Sequence, residues 1–338
     1  LHSALAAFGV RDTIAFFNGE GVATKVEDTG KIFPVSDRAL DVLDALLRRL
    51  HRSGAVLATL EPVRGLATLP DGGFRVSTER RELTAEHVLV TTGGKSYPGC
   101  GTTGDGYSLA TPFGHTIVPT RPALVPLTVN APWVADLRGI TLPDVGLKVI
   151  DGDRGLTARR GSLLFAHFGL TGPAPLDVSR AVSGHAEPGR LTLEMDLLPG
   201  VPEPAVDEFL RVETAASGKK QLAVVLSDKL PRRVCDTLLS LADLPVDRKA
   251  AALSKPDRQR LVSLVKRLRL PVRGTLGFEK AEVTAGGVSL DEVDSRTMQS
   301  KKQPGLYFAG EVLDLDGWIG GYNFQSAWST GWLAGRNL

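Results

Sequence analysis

The interpretation of the whole chain depends on the sequence AEVTAGG at residues 281–287, which is followed by GLYFAG at 305–310 and EVLDLDGWIGGYNFQ at 311–325. The run LYFA is short, apolar and closed by glycine, which predicts a buried strand rather than a helix. In residues 322–337 apolar side chains recur at the spacing of one helical face, and this predicts a helix that begins directly after a pair of glycines. The end of the chain is therefore predicted to contain a strand, a glycine-lined loop and the amino end of a helix.

This combination suits a large, planar, partly anionic ligand. Glycines allow a ligand to approach the backbone, and a helix amino end offers N–H groups and a partial positive charge. A flavin matches both features, because its ribityl chain carries hydroxyls that Glu311 can bind and its ring becomes electron-rich on reduction. The alternative is a plain strand-to-helix turn, but the presence of Glu311, Asp314 and Asn323 beside the glycines favours a ligand site.

Several longer motifs carry a family resemblance. They are TTGGKSYPGCGTTGDGY at 91–107, RPALVPL at 121–127, FGLTGP at 168–173, AEVTAGGV at 281–288 and AGEVLDLDGWIGGYNFQ at 309–325. Together they resemble the HI0933-like or BaiN-like family of flavoproteins, whose members are described as NAD(P)/FAD-dependent oxidoreductases. The resemblance covers nearly the whole chain in the same order.

The resemblance implies an α/β fold, a two-dinucleotide-binding, glutathione-reductase-like FAD domain with an inserted β plus helical subdomain. Residues 1–127 are predicted to be the first part of the FAD domain and residues 275–338 its C-terminal part. Short apolar pieces broken by proline and glycine predict an inserted β subdomain at 128–200, and helical spacing predicts an inserted helical subdomain at 201–274. The family begins with a strand, a GxGxxG loop and a helix. This chain begins at Leu1 without that motif, so we expect the first βαβ unit to be missing from it.

The first part of the chain also predicts a helix with a core-facing leucine stripe. Ser36 or Asp37 is expected to cap it and Gly54 to end it. The stripe consists of Leu40, Leu43, Leu46, Leu47 and Leu50.

Strands are predicted after this helix, at 55–60 and at 87–92, with a meander between them that turns at PDGG in 70–73. The resemblance identifies this layout with the adenine half of an FAD domain. It implies that the backbone at Val63 lies near the adenine.

The resemblance carries a set of cofactor-binding residues over to this chain. Asp105 is expected first to cap a helix and second to contact the ligand, and Tyr97 either covers a ring face or is structural. In addition to Val63, the predicted FAD-binding residues are Thr92, Gly93, Gly94, Tyr97, Thr103, Gly104, Asp105, Gly286, Gly287, Gly310, Glu311, Gly320, Gly321, Tyr322 and Asn323.

The function predicted from this resemblance is FAD-dependent oxidation and reduction, with NAD(P)H as co-substrate and a small organic molecule, such as a conjugated enone, as substrate. Hydride transfer would pass through flavin N5, and His167 is the candidate proton donor. The alternative for His167 is a hydrogen-bonded loop histidine. Two other functions stay open: an oxidase of a small amine or aminoketone, and a non-catalytic flavin-binding or RNA-maturation-associated module.

Composition excludes several other classes. The net charge of +2 argues against a nucleic-acid partner bound through phosphate neutralisation, and no apolar stretch predicts a membrane span. Cys100 and Cys235 are far apart, which supports neither a disulfide nor a zinc site. Cys100, in the loop between Gly94 and Gly104, is expected to be a small buried residue, and a redox thiol is the alternative. The six histidines show no metal-binding spacing. We therefore expect a cytoplasmic protein with no metal and no membrane partner, and the sequence gives no signal for its oligomeric state.

Overall fold

The computed structural model describes residues 1–216 and 218–338, and the contacts within it divide the chain into two units. Leu1–Arg121 and Val283–Leu338 form the first unit, and Pro122–Glu282 forms the second. The second unit is thus inserted between the two parts of the first. It begins earlier and ends later than the predicted insertion at 128–274, and its β and helical parts belong to one unit.

The first part of the first unit combines helices, a two-stranded ribbon, an antiparallel meander and a strand that enters a parallel pair. The meander is β3–β4–β5, and the PDGG turn joins β3 to β4 as predicted. In chain order the elements are α1 (His2–Ala7), α2 (Val10–Gly19), β1 (Thr24–Val26), β2 (Ile32–Pro34), α3 (Ala39–Arg52), β3 (Val63–Thr68), β4 (Phe74–Thr78), β5 (Glu82–Ala85), β6 (Val88–Val90), α4 (Asp105–Ala110) and β7 (Ile117–Ala123), whose last two residues belong to the second unit.

The second unit is built on a closed six-stranded barrel with helices packed into the same hydrophobic core. Its elements are β8 (Leu127–Val129), α5 (Trp133–Asp136), β9 (Thr141–Asp151), β10 (Arg154–Ala166), β11 (Gly169–Thr171), α6 (Pro173–Ser183), β12 (Leu191–Asp196), α7 (Glu203–Ala216), α8 (Leu222–Leu226), α9 (Arg232–Leu241), α10 (Lys255–Lys266) and β13 (Leu268–Thr275). The strand order around the barrel is β10-β11-β8-β13-β12-β9. In β12 the side chains of Leu191, Leu193 and Met195 are buried and alternate with more exposed ones, as a barrel strand requires.

The chain then returns to the first unit with β14 (Val283–Val288), β15 (Leu306–Phe308) and α11 (Tyr322–Gly335). β15 pairs in parallel with β6, so that Leu306 lies opposite Val88 and Phe308 opposite Val90. β14 pairs with β7. The predicted strand at 306–309 and the predicted helix from residue 322 are both confirmed, and this part of the chain is α/β.

The first unit is held together by contacts between distant parts of the sequence. Ser329 Oγ and Gln325 Nε2 on α11 donate hydrogen bonds to the carbonyl oxygen of Phe8, at 2.6 and 3.2 Å. The ring of Trp332 stacks on that of Phe8 with the centroids 4.6 Å apart. These contacts fix α11 against the beginning of the chain. In the described residues no helix has the length and apolar character needed to cross a membrane.

Two local predictions in the first unit are wrong. Residues 55–60 form no strand, because a strand needs a hydrogen-bonded neighbour and none of the described strands pairs with them. Val56 and Leu60 are consequently 88% and 86% exposed. The leucine stripe of α3 is also only partly in the core, since Leu40 and Leu43 are exposed.

The predicted cap of α3 is also wrong. Neither Ser36 nor Asp37 caps this helix, because it begins at Ala39 and its cap position falls on Arg38, whose side chain makes no capping bond. The carboxylate of Asp37 instead pairs with Lys25 Nζ at 2.7 Å.

In the second unit, the predicted helical segment at 201–274 ends too late. The last helix, α10, stops at Lys266, and β13 follows from Leu268. Leu268, Leu270 and Val272 are buried on alternate positions, and β13 pairs with β12 and β8 to close the barrel. The stretch in which apolar residues alternate is short, and β13 can be recognised as a strand only from its pairing with β12 and β8.

Candidate cofactor site

A cluster of polar contacts connects three segments of the first unit that are far apart in sequence. Glu311 Oε1 accepts a hydrogen bond from the backbone N–H of Thr284 at 2.6 Å. The hydroxyl oxygen of Thr284 accepts hydrogen bonds from the backbone N–H groups of Lys95 at 2.8 Å and Ser96 at 3.1 Å. We call Gly94, Lys95, Ser96, Thr284 and Glu311 the Thr284 cluster. It joins the loop after β6 to β14 and to the turn after β15.

Glycine at position 94 makes this cluster possible. A Cβ atom there would lie 2.3 Å from Thr284 Oγ1 and 3.1 Å from Glu311 Oε1, well inside van der Waals contact. Gly106 on α4 has a similar role, because its Cβ would lie 2.1 Å from Thr92 Oγ1. These two glycines allow the loop after β6 and the start of α4 to pack directly against their neighbours.

The carboxyl group of Glu311 is largely removed from water. Burial raises its pKa, and the hydrogen bonds from Thr284 act in the opposite direction without cancelling that effect. Thr284 binds one carboxylate oxygen. The other oxygen can accept hydrogen bonds from the hydroxyls of a ligand.

The amino end of α11 begins with a glycine, and the asparagine beside it hydrogen-bonds to the preceding loop instead of capping the helix. Gly321 is the N-cap residue with φ of 88°, in the left-handed region, and no side chain caps the helix. Asn323 Oδ1 accepts a hydrogen bond from Gly317 N at 2.7 Å, and its Nδ2 donates to Gly317 O at 3.1 Å. Asn323 therefore holds the loop before the helix. Thr330 accepts the N–H of Gly310 at 3.0 Å, which joins α11 to the residue before Glu311.

The paired glycines differ in what surrounds them. A Cβ on Gly286 would lie 2.5 Å from Pro119 O, and one on Gly287 would lie 2.6 Å from Val312 O. Protein packing around β14 thus explains both glycines, and their predicted role in ligand approach stays a prediction. A Cβ on Gly320 would meet the ring of Tyr322 at 3.0 Å, whereas no atom lies within 4 Å of the Cβ position at Gly321. Of these four, only Gly321 has open space beside it.

The remaining predicted residues lie on the loops around the cluster. Val63 begins β3, and Tyr97 has φ of 54° and a half-exposed ring. Asp105 is the first residue of α4, and Gly104 takes the cap position because its φ of 88° ends the preceding turn. The expectation that Asp105 caps the helix is therefore wrong. Its Oδ1 instead accepts a hydrogen bond from Thr103 Oγ1 at 2.9 Å.

His167 belongs to the second unit, unlike the predicted cofactor residues. It lies in the turn between β10 and β11 with an exposed side chain, and its ring centroid is 5.0 Å from that of Phe168. These two residues, together with Asn130, Pro132 and Val134, line a groove with a volume of about 360 Å³. His167 is thus available to a ligand in that groove.

The thiols and the acidic side chains give no sign of a metal centre. Among the described residues, no group of three histidine, cysteine, aspartate or glutamate side chains is placed to hold a metal ion. Both cysteines are free, and Cys235 is buried. Cys100 is exposed, which corrects the expectation of a buried residue, because it ends a one-turn 3₁₀ segment at the surface.

Sequence reasoning missed three residues that the structure brings to this site: Lys95, Tyr107 and Thr284. Tyr107 on α4 is buried, and its pKa is raised to about 12 by burial and by the nearby charges of Glu311 and Asp314. Lys95 Nζ lies 5.8 Å from the centroid of the Tyr107 ring. The only sequence signal for these residues was their position inside the glycine-rich motifs.

Comparison with known proteins gives consistent matches over the whole chain. A family model described as "HI0933-like protein Rossmann domain" matches residues 1–337. The chain is 36% identical to the "Ribosomal RNA dihydrouridine synthase" of Escherichia coli strain K12, over 99% of this chain and 81% of that protein. It is 32% identical to the "3-dehydro-bile acid delta(4,6)-reductase" of Clostridium scindens, over 98% of this chain and 81% of that protein. A "Ribosomal RNA dihydrouridine synthase" of Haemophilus influenzae is 32% identical, over 99% and 81%.

Proposed function

This chain belongs to the HI0933-like family of Rossmann-domain proteins, and we propose from that premise that it is an FAD-dependent oxidoreductase. In the proposed reaction NAD(P)H supplies the electrons, and a carbon–carbon double bond conjugated to a carbonyl group is reduced in a small organic substrate. The observation that carries the proposal is the Thr284 cluster, which holds the half-buried carboxyl group of Glu311 beside a glycine loop.

Three features of the first unit fit a flavin. Glu311 has a carboxylate oxygen that can accept ribityl hydroxyls. The amino end of α11 has no side-chain cap, so its N–H groups suit an electron-rich ring edge. Gly321 leaves open space beside the backbone at that point. When bound, FAD would take a hydride from NAD(P)H and pass it to the substrate. The protein's own contribution is to bind, orient and shield these groups.

The names of the relatives support the reaction class. A dihydrouridine synthase and a delta(4,6)-reductase of a 3-dehydro-bile acid both saturate a carbon–carbon double bond that is conjugated to a carbonyl group. Conjugation makes the carbon far from the carbonyl electrophilic. Hydride adds to that carbon, and a proton adds to the carbon next to the carbonyl. We propose His167 as the proton donor, because its exposed side chain lies in a groove.

A uridine in ribosomal RNA is a second candidate substrate, since two of the relatives carry that substrate in their names. Its pyrimidine ring contains the same conjugated unit as an enone. The net charge of +2 provides little general attraction to phosphates. If RNA is the substrate, recognition has to depend on local contacts with the base rather than on a large basic surface.

The first test is the visible absorption spectrum of the purified full-length protein. We expect the bands of oxidised flavin, and we expect extraction to release FAD rather than FMN. Under anaerobic conditions NADH or NADPH should bleach these bands, and a cyclic enone should restore them. Peroxide release with an amine would instead support the oxidase, and a flavin that neither nicotinamide reduces would support a non-catalytic module. A colourless full-length protein that does not bind added FAD would overturn the proposal.

The two substrate classes are separated by a product assay. Protein reduced with NAD(P)H is incubated either with a cyclic enone or with ribosomal RNA from cells that lack the corresponding enzyme. Mass spectrometry then measures the saturated ketone or the dihydrouridine released by nuclease digestion. Turnover of the enone alone supports a small-molecule reductase, whereas dihydrouridine in RNA supports the second candidate. The Glu311→Gln protein is the control in both reactions.

A further inference from the structure

The second unit carries an open groove at one end of its barrel, which we call the Asn130 groove. It lies where β8 ends, where α5 begins and where the chain turns between β10 and β11, and its volume is about 360 Å³. Small-molecule sites have volumes of about 300–1,000 Å³ and are common in the mouths of barrels. The Asn130 groove therefore has the size and the position of a small-ligand site.

The pairing of β8 with β11 brings two polar side chains to this groove. In this antiparallel pair Gly169 lies opposite Thr128. The same register, continued for two residues beyond the paired strands, places His167 opposite Asn130, and both residues line the groove. The close approach of the strands depends on Gly169, because a Cβ there would lie 2.1 Å from Leu127 O. Backbone pairing therefore sets the positions of both polar residues.

The polar groups of Asn130 and His167 are not used by the fold. Both side chains are exposed, and neither makes a hydrogen bond or an ion pair with another described residue. Asn130 is held through its backbone instead, since its N–H donates to Pro271 O at 2.9 Å. A side-chain amide offers two N–H donors and an acceptor oxygen, and a neutral imidazole offers one donor and one acceptor. Both groups are therefore free to hydrogen-bond to a ligand in the groove.

The rest of the lining is apolar and uncharged. Phe168 contributes a half-buried ring, and Val134, which is buried, belongs to the hydrophobic core of the second unit. None of the described residues that line the groove is an aspartate, glutamate, lysine or arginine. A charged ligand would lose hydration in this groove without gaining an ion pair. The lining therefore favours an uncharged ligand with an apolar body and one or two polar atoms.

From these observations we infer that the Asn130 groove binds an uncharged cyclic ketone, and that Asn130 Nδ2 donates a hydrogen bond to the carbonyl oxygen of this ligand. The ring of the ligand lies against the apolar lining. For turnover this inference rests on the proposed function, whereas binding of the ketone can be measured without it. Negative charge develops on the carbonyl oxygen of an enone when its double bond is reduced, and a hydrogen-bond donor at that oxygen stabilises the charge. Asn130 is thus a substrate-binding residue that His167, the proposed proton donor, adjoins in the groove.

The first test measures the binding of decalone, a saturated bicyclic ketone, to the full-length protein in the absence of NAD(P)H. Isothermal titration calorimetry compares the wild type with Asn130→Ala and with the control Gln259→Ala, which removes an exposed amide from α10 of the same unit. We expect Asn130→Ala to raise the dissociation constant of decalone about fivefold, which corresponds to about 1 kcal/mol, and Gln259→Ala to leave it unchanged. Both variants should unfold within about 2 °C of the wild type, because neither amide is hydrogen-bonded to a described residue.

The infrared spectrum of the bound ketone separates a hydrogen bond from simple contact. A hydrogen bond lowers the stretching frequency of a carbonyl group. Decalone labelled with carbon-13 at its carbonyl should therefore absorb at a lower frequency on the wild type than on Asn130→Ala. Equal affinities or equal band positions for these two proteins would overturn the role of Asn130.

Two charged ligands test the expected selectivity. Decalin carboxylate has the same rings as decalone with a negative charge, and uridine monophosphate represents a nucleotide of RNA. Both should bind about tenfold more weakly than decalone, because the groove provides no cation to pair with them. If either binds as tightly as decalone, and Asn130→Ala weakens that binding, the assignment of an uncharged ligand is wrong.

Turnover of cyclohexenone distinguishes this inference from the proposed function. With NAD(P)H, Asn130→Ala should lower kcat/KM for the enone about fivefold or more and leave the rate at which NAD(P)H bleaches the flavin unchanged. If the wild type binds decalone through Asn130 but reduces no enone, the proposed function fails and the binding site stands. If it reduces the enone and Asn130→Ala has the same kcat/KM, this inference fails and the proposed function stands. A wild type that binds no decalone also overturns this inference.

Discussion

Replacing Gly94 by alanine should damage the Thr284 cluster, whereas replacing Gly99 should not. The two glycines lie five positions apart in the same loop, and neither has a positive φ, so the comparison isolates the effect of the added methyl group. At Gly94 the new Cβ would lie 2.3 Å from Thr284 Oγ1 and 2.5 Å from Thr284 Cβ. At Gly99 no atom lies within 4 Å of the Cβ position.

The cost of Gly94→Ala follows from what has to move. Relieving the overlap requires a shift of about 1 Å, and overpacking of a filled site costs about 1–3 kcal/mol. That shift pulls Thr284 Oγ1 away from the N–H groups of Lys95 and Ser96, and each buried donor left unpaired costs about 1–3 kcal/mol. With partial relaxation we expect a loss of about 3–5 kcal/mol. This amounts to a fall of about 10 °C in the unfolding midpoint of a domain of this size.

The assay is thermal unfolding of the two variants and the wild type, followed by circular dichroism and repeated with added FAD. Gly99→Ala should unfold within about 2 °C of the wild type, because surface substitutions usually change stability by less than about 0.5 kcal/mol. Gly94→Ala should also lose the stabilisation that FAD gives. Equal midpoints for the two alanine variants would refute the reasoning, since they would show that the loop does not approach Thr284 as closely as described.

Three further changes test other parts of the site. Glu311→Gln should weaken FAD binding about ten- to hundredfold, because hydrogen bonds to a charged group contribute about 1.5–3 kcal/mol. Fluorescence titration measures the FAD dissociation constant. The control is Glu86→Gln, which changes an exposed glutamate and should leave FAD affinity unchanged. His167→Gln should lower kcat for enone reduction about 10²-fold or more while FAD affinity is retained; an unchanged kcat would remove His167 as proton donor. The stability of the folded protein should decrease in two stages as the pH is lowered. Burial lowers the pKa of His115 below 6.5, so stability is lost as pH falls through 6.5 while the unfolded chain takes up a proton. Against the effect of burial, Lys302 and Thr116 lower the pKa of Glu292 from 4.5 to about 2, so a second loss begins below pH 4.5. Unfolding midpoints measured between pH 8 and 3 check both, and His115→Gln should remove the first stage.

The parts of the fold that depend on local sequence were predictable. The PDGG turn, the short strand at β15 and the start of α11 each carry their own signal in glycines, prolines and apolar spacing. The failures have a different origin. Residues 55–60 have the composition of a strand but no neighbour in the described residues, and β13 became recognisable only through its pairing with β8 and β12. A local sequence pattern does not show which distant segments of the chain will pair as strands.

The same distinction applies to the site. Glu311 could be chosen as a candidate because a carboxylate beside glycines at the end of a strand is a local pattern, and its ligand-binding role stays a prediction. The contact of Thr284 with Lys95 and Ser96 spans almost 190 residues of sequence, and Gly94 gave no sign that its missing side chain makes room for Thr284. Gly286 and Gly287 show the converse, because glycines that suggested a ligand are explained by the packing of β14.

Two polar clusters in the first unit differ in a way that separates structural from ligand-binding roles. In one, the buried His115 Nε2 lies 2.7 Å from Ser300 Oγ, and its Nδ1 faces Glu292, which is paired with Lys302 Nζ at 2.6 Å. A serine, a histidine and an acid in this order resemble a hydrolytic triad. However, Ser300 is 5% exposed and also accepts the N–H of Lys302, so its hydroxyl is closed off from solvent and already engaged.

The Thr284 cluster has the opposite character. Glu311 is half-buried, burial raises the pKa of its carboxyl group, and the hydrogen bond that it accepts comes from the neutral backbone N–H of Thr284. Removing a carboxylate from water without a cationic hydrogen-bond partner is unfavourable for folding. A sequence selected for stability alone would place a neutral side chain such as glutamine at this position. Polar groups that a fold keeps at its own cost are the ones expected to bind something else, and on this ground we propose Glu311, rather than the enclosed Ser300–His115 pair, as a ligand-binding group.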